Sequence, residues 1–343
     1  MNLDRRQFLM AGLAATQGRP DGLFALDRGF AKVTELAPGV YVTIADPSKG
    51  PQCVSNGGVI AGRDRVLIVE GHMQPAGAAL EIEVARMVSK APIRGAVDTH
   101  FHYDHTFGNA GYAGQQIPIL AHEKAGPMMK EQYAAHKGAD RAPLLAPWEK
   151  KIAQASGAAD RKHKEEDLEF AKRMYDAIEA TTIAYPTEPL APARLPKRID
   201  LGGLTAILEF HPGHTQTDLI IRVPERDVVF AGDLLFYRSY PVTIDADMIA
   251  WRKALDRFSR FSRRTRFVPG HGPVCGQETV RDQSDLFDNL RAHAERMIRA
   301  GASAEEAERS YIVPERFRDY RVSGWGFRVG AAMYSYYDRL RPR

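Results

Sequence analysis

Residues 98–105 read Asp98-Thr99-His100-Phe101-His102-Tyr103-Asp104-His105, and this stretch decides the fold. Three of the chain's 11 histidines fall between positions 100 and 105. In extended backbone, residues i and i+2 project to the same side, so His100 and His102 can reach one ion together. Asp104 and His105 lie one step further on and can reach a second ion beside it. Imidazole nitrogen and carboxylate oxygen ligate zinc at about 2.0–2.2 Å. The apolar segment Ile93-Arg94-Gly95-Ala96-Val97 reads as a short strand that runs into this cluster.

Two ions need more than four ligands, and the rest of the chain offers candidates at the ends of apolar strands. His214 lies in Phe210-His211-Pro212-Gly213-His214-Thr215, Asp233 in Val229-Phe230-Ala231-Gly232-Asp233, and His271 in Val268-Pro269-Gly270-His271-Gly272. Glycine beside a polar residue at a strand end lets the backbone turn tightly, which is where sites are assembled. Taken singly, each of these residues is as readily a cap or a core residue as a ligand. Their ordered recurrence makes the set a metal-binding pattern. His211 reads as structural.

Outward from the motifs, residues 31–70 read as a meander of short strands with a turn at Pro38-Gly39. Residues 75–90 have helical spacing and start at Pro75, a favourable first helical position. Ile117–Glu123 reads as a strand. Residues 123–180 read as helices broken at Pro127, Pro143 and Pro147, with a charged, solvated helix at their end. The proline-rich run after them, to Arg198, predicts an extended connector. Strands then resume, a helix is expected over 247–261, and the tail 277–343 looks helical. The basic, aromatic-interleaved run from Trp251 to Phe267 reads as a solvated helix with a buried stripe. Mixed strands with interspersed helices favour an α/β architecture of two sheets with helices on the outer faces, within one catalytic domain.

The strings HFHYDH, HPGHT, AGD and PGHG, in this order, resemble the metallo-β-lactamase superfamily over roughly residues 31–275. The resemblance implies an αββα sandwich of two mixed β-sheets with the metals at one sheet edge, residues 123–200 as a helical insert and residues 277–343 as a C-terminal helical extension. It implies that His100, His102 and His214 hold one metal, that Asp104, His105 and His271 hold a second, and that Asp233 bridges them. Asp233 matches the bridging aspartate of the glyoxalase-II-like and lactonase-like branches, whereas the best-known β-lactamases carry cysteine or serine there. His102 stands where diiron oxygen-reducing relatives have glutamate. Two Zn2+ ions per chain are therefore expected, with iron or manganese as alternatives, because such nitrogen and oxygen ligands discriminate poorly among them.

The chemistry so implied is hydrolysis. Zinc lowers the pKa of bound water towards about 7, and a metal-bridging hydroxide would attack the carbonyl of a small ester, lactone, thioester or amide, β-lactams included. Asp104 would orient the hydroxide and pass a proton to the leaving group. Asp98 reads equally as the acceptor of a hydrogen bond from a ligand imidazole or as an ordinary strand-end carboxylate, and Thr215 is expected to orient a ligand or cap the next turn. His72 follows Glu70-Gly71, where relatives often have an aspartate-bearing loop, and reads as a surface-loop histidine or as a candidate substrate contact with Tyr237 and Arg238. Arg238 reads as a plain surface arginine or as the holder of a substrate carboxylate by a bidentate contact. The insert reads equally as a lid or as a packing or dimer surface. The aromatic tail residues Trp325, Phe327, Tyr334, Tyr336 and Tyr337 read as a docked amphipathic helix.

Composition bounds the remainder. The 343 residues are 44% hydrophobic and 26% charged, which excludes a disordered, collagen-like or coiled-coil chain. A net charge of +4 is mild and does not point to nucleic acid. Two cysteines, Cys53 and Cys275, exclude a disulfide scaffold and read as two separate thiols. No run of 18 apolar residues is present, so no membrane insertion is expected. Arg5-Arg6 before the short apolar run Phe8–Ala15 resembles a Tat export signal over residues 1–25, which implies transient contact with the export machinery and a periplasmic location. A small-molecule substrate is expected, and a homo-oligomer is compatible with the chain. The competing reading keeps the fold but makes it an iron-containing redox or sulfur-handling protein, or a periplasmic hydrolase of a quinoprotein or sulfur-oxidation system.

Overall fold

A computed structural model describes residues 24–320 and 329–341. The expected export signal, up to residue 23, and Trp325 and Phe327 lie outside the described residues.

Two mixed sheets pack face to face. The first contains β1 (Ala25–Asp27), β2 (Ala31–Ala37), β3 (Val40–Ala45), β4 (Gly57–Ala61), β5 (Val66–Val69), β6 (Ile93–Val97), β7 (Ile119–His122) and β8 (Glu188–Leu190), hydrogen-bonded in that order. Pairing is antiparallel from β1 to β5 and parallel from β5 to β8. The second contains β9 (Lys197–Asp200), β10 (Thr205–Phe210), β11 (Leu219–Val223), β12 (Val228–Phe236) and β13 (Arg266–His271), with only β12 and β13 parallel.

The pleat explains how the layers form. In β5 every residue is buried, because alternate side chains serve different cores. Leu67 and Val69 meet Leu208, Ile221 and Phe230 between the sheets. Val66 and Ile68 pack outward on α1 (Pro75–Val88), beside Ala78 and Val84. Likewise Val228 and Phe230 of β12 face the inter-sheet core, whereas Val229 and Ala231 face the outer helices.

After β6 come the short α2 (Tyr103–Thr106) and α3 (Ala110–Ala113). The insert folds as α4 (Ala125–His136), α5 (Arg141–Ala153) and α6 (Ala158–Ala180). The expected breaks at Pro143 and Pro147 do not occur. Pro143 sits in the first turn of α5, where an amide N–H has no helical partner. Pro147 lies inside the helix, which runs on through the lost bond. The insert is seated on the loop that carries His100–His105, since Trp148, Met174 and Ile178 share a core with Tyr103 and Phe107. The proline-rich connector is extended as expected, but parts of it pair as β8 and β9.

On the outer face of the second sheet lie α7 (Met248–Phe258), α8 (Gln277–Arg299), α9 (Ala304–Ser310) and α10 (Val329–Leu340). Trp251, Phe287, Tyr336 and Tyr337 share one core there, so the tail is docked as expected, although Tyr334 is exposed. Cys53 and Cys275 are buried free thiols. Among the described residues, no helix is long and apolar enough to cross a membrane.

Candidate metal centre

The expected ligands converge at one edge of the sandwich. The loop after β6 brings His100, His102, Asp104 and His105, and the second sheet brings His214, Asp233 and His271. Three groups form with ligand atoms within 4.8 Å of one another: His100–His102–His214, His100–His105–Asp233 and Asp104–His105–His271.

Hydrogen bonds on the outer nitrogens assign the tautomers. His102 Nε2 donates to Asp245 Oδ2 over 2.9 Å, which leaves Nδ1 unprotonated. His214 Nδ1 donates to the Val242 carbonyl, which leaves Nε2 unprotonated. Thr99 Oγ1 donates to Glu70 and so accepts from His100 Nδ1, which leaves His100 Nε2 unprotonated. Yet His102 Nδ1 lies 3.1 Å from His100 Nε2 and 3.0 Å from His214 Nε2. Three lone pairs therefore face one another at contact distance, an arrangement that a cation among them satisfies.

The second half follows the same rule. His105 Nδ1 donates to Glu70 Oε2, and His271 Nδ1 donates to the Val54 carbonyl. Their Nε2 atoms turn inward. Asp104 Oδ2 lies 3.6 Å from His105 Nε2 and 3.4 Å from His271 Nε2. Asp233 stands between the halves: Oδ1 is 3.4 Å from Nε2 of both His105 and His271, and Oδ2 is 3.5 Å from His214 Nε2. His105 Nε2 and Asp233 Oδ1 are buried without a hydrogen-bond partner among the described residues. Orphaned buried atoms are costly, and here they are the atoms that ligation would use. The donor set fits divalent ions.

Two glycines permit this approach. Gly232 has φ +52°, at a register shift between β12 and β13, and a Cβ there would stand 2.7 Å from Thr99 Oγ1. A Cβ on Gly270 would stand 1.8 Å from Asp233 Oδ1.

The electrostatics divide the centre. Burial and the neighbouring His105 and His102 hold His100 well below the usual histidine range. Burial likewise brings His214 down to about 3. At the other half, burial opposes charge, but the carboxylates of Asp233 and Asp104 carry His271 up to about 10. Burial would raise Asp104, yet the charge of His105 and the hydrogen bond from His271 bring it to about 2. The pair of carboxylates therefore favours positive charge between them, from protons or from a metal that displaces them.

Several expected contacts are placed elsewhere. His72, proposed as a substrate contact, is fully buried at φ +60°, with its ring between the Ser55 carbonyl and Glu81. The reversed backbone at Glu70 and His72 turns this ring towards α1 and Glu81 instead of the candidate ligands. Asp98 accepts from Asn109 rather than from a ligand imidazole. Glu70 takes that role, from the end of the neighbouring strand β5. Thr215 caps the next turn, donating to Asp218 through both its hydroxyl and its amide. His211 pairs with Glu209, outside all three groups. Tyr237 and the exposed Arg238 line a cleft of about 290 Å³ with Asp282, Arg316 and Tyr320, and none of the seven ligands lines it. Glu70, Asp245 and the Val242 carbonyl are contacts that sequence reasoning missed.

The family model described as "Metallo-beta-lactamase superfamily" matches residues 50–271. The chain belongs to the metallo-β-lactamase superfamily. Members of this superfamily are mostly metal-dependent hydrolases, though some are not. Curated relatives include uncharacterized proteins of Mycobacterium tuberculosis and Mycobacterium bovis, 34% identical over 85 residues. That match covers 22% of this chain, and the chain spans 37% of the length of those relatives. A solved metallo-β-lactamase from Erythrobacter litoralis, with β-mercaptoethanol in its active site, is 18% identical, with TM-score 0.53 over 77% of this chain and 99% of that one. The stereoselective inverting sec-alkylsulfatase of a Pseudomonas species is 15% identical, with TM-score 0.61 over 90% of this chain and 50% of that one. At these identities the likeness is one of fold.

Proposed function

We propose that this chain is a dinuclear zinc hydrolase of the glyoxalase-II-like and lactonase-like kind, acting on a small ester, lactone, thioester or amide. The observation that carries the reading is the inward convergence of histidine lone pairs and carboxylates, with every outer imidazole nitrogen of the five ligand histidines bonded elsewhere. His100, His102 and His214 would hold one ion, Asp104, His105 and His271 the other, and Asp233 both. Divalent ions in such a site acidify water into a nucleophile and polarise a substrate oxygen. The chain's own residues do the rest. Asp104, ionised at neutral pH, takes the proton of the attacking water and returns it to the leaving atom. Phe236, buried beside the rings of His214 and His271, keeps that side of the centre apolar. Export through the twin-arginine signal in residues 1–25 belongs to the same proposal, and it suits a protein that is loaded with metal before it leaves the cytoplasm.

The test is elemental mass spectrometry of the purified chain, with a panel of lactone, ester, thioester, cephalosporin and secondary alkyl sulfate substrates. About two zinc per chain with turnover that is lost in His102→Ala supports the reading. Iron without hydrolytic turnover replaces it with the redox alternative.

A further inference from the structure

The loop that joins β12 to α7 grips two ligands from outside the centre. The Val242 carbonyl accepts from His214 Nδ1, and Asp245 Oδ2 accepts from His102 Nε2 over 2.9 Å. His102 is the one ring of its group that would ligate through Nδ1, because Nδ1 is the atom facing both His100 and His214. A free imidazole divides its proton between its nitrogens. Only an acceptor at Nε2 makes Nδ1 the lone pair, and an ionised carboxylate can only accept. Among the described residues, Asp245 is the acceptor given to His102 Nε2.

The loop is fastened at its far end. The Asp247 amide donates to the Gly213 carbonyl, one residue before His214. The Asp247 carboxylate caps α7 through the Ile249 and Ala250 amides and pairs with Arg339 of α10 at 2.6 Å. Ser335 of α10 accepts from the Met248 amide at 3.0 Å. Asp245 is thus presented by a segment tied both to the ligand turn and to the tail helix. Its side chain is 41% exposed, so burial does not hold it there and no core depends on it.

We infer that Asp245 is a positioning residue for His102: it fixes the ring's tautomer and orientation, and so sets the affinity of the ion held by His100, His102 and His214. The inference rests on the proposed metal-centre reading. It concerns one of the two ions, because Asp245 touches no ligand of the other half.

The experiment uses the full chain stripped of metal, with Zn2+ titrated in competition with a chromogenic chelator. The Co2+-loaded form is followed by visible absorption. Asp245→Ala is expected to weaken one of two binding steps by about 10–100-fold and to leave the other within about twofold. It also changes the Co2+ spectrum of the affected step. Asp245→Asn keeps an oxygen that can accept from Nε2 and is expected to recover most of the lost affinity. A merely structural role would move both steps together and would not be rescued by asparagine. Two unchanged steps in Asp245→Ala overturn the inference and leave the metal-centre reading standing, as does an asparagine variant no better than alanine. A wild-type chain that takes up no Zn2+ overturns both.

Discussion

The Glu70 carboxylate accepts the Nδ1 proton of His105, 35 residues away in sequence, and so decides which nitrogen of that ring is free. The same carboxylate accepts from the Thr99 amide at 2.8 Å and the Thr99 hydroxyl at 3.0 Å. Thr99 in turn accepts from His100. One buried acid therefore orients a ring in each half of the centre. Glu70→Ala is expected to leave the Thr99 amide unpaired, at a cost of about 1–3 kcal/mol in stability. It should also lower metal affinity by about 10–100-fold. Urea unfolding of the metal-free chain and zinc competition measure the two effects separately.

Gly270→Ala tests the bridge. The new Cβ would overlap Asp233 Oδ1, so the carboxylate must leave its place between the halves. Displacement of a reacting group by about 1 Å costs about 100-fold in rate, and the expected outcome is at least that loss with bound metal below that of the wild type. Elemental analysis and substrate turnover check it.

Acid sensitivity has a source away from the candidate metal centre. Glu209 is nearly buried, which would raise its carboxyl. Hydrogen bonds with His211 and Arg222 and the charges of Arg222 and Arg257 bring it from 4.5 down to about 2. The folded value lies below the unfolded one, so ionised Glu209 stabilises the fold above about pH 4.5. That contribution is lost as pH falls from there through about 2. Glu209→Gln is expected to lower stability at neutral pH and to flatten the decline between about pH 5 and 2. Chemical unfolding across that range reads the slope.

The tail should behave as core. Tyr336 is 1% exposed and its hydroxyl donates to the Phe287 carbonyl at 3.0 Å. Tyr336→Ala is expected to cost about 3–5 kcal/mol, as for other large buried aromatics. Tyr336→Phe should cost about 1 kcal/mol for the hydrogen bond. Denaturant midpoints of the two variants separate packing from bonding.

The ligands were legible because their signal is local. Spacing within His100–His105 and the glycine beside Asp233 and His271 carry it, and the strands are legible as short apolar runs such as β5. The residues that orient the ligands were not legible. Asp245 acts on His102 across 143 residues and Glu70 on His105 across 35, so no motif joins them. His72 was misplaced because sequence adjacency to a site loop does not reveal a backbone at φ +60°, which swings the ring to α1. Pro147 differs in the opposite direction: a proline removes one helical bond, yet α5 runs on through it, with Trp148 beside it seated in the core under the insert.

The seven ligands are split between the two sheets, with His100, His102, Asp104 and His105 on one side and His214, Asp233 and His271 on the other. The split falls across the insert, where Gly157 is exposed with open space around it. A chain severed there would leave four candidate ligands on one fragment and three on the other, so that no fragment would carry the complete set. Asn56 reaches across the seam, donating to the carbonyls of Pro269 and Gly272, so the two parts meet through polar contacts as well as through the ligands. Ions held between the sheets would then act as the rivet of a two-piece assembly, and the joining of the pieces would report the concentration of free metal around them.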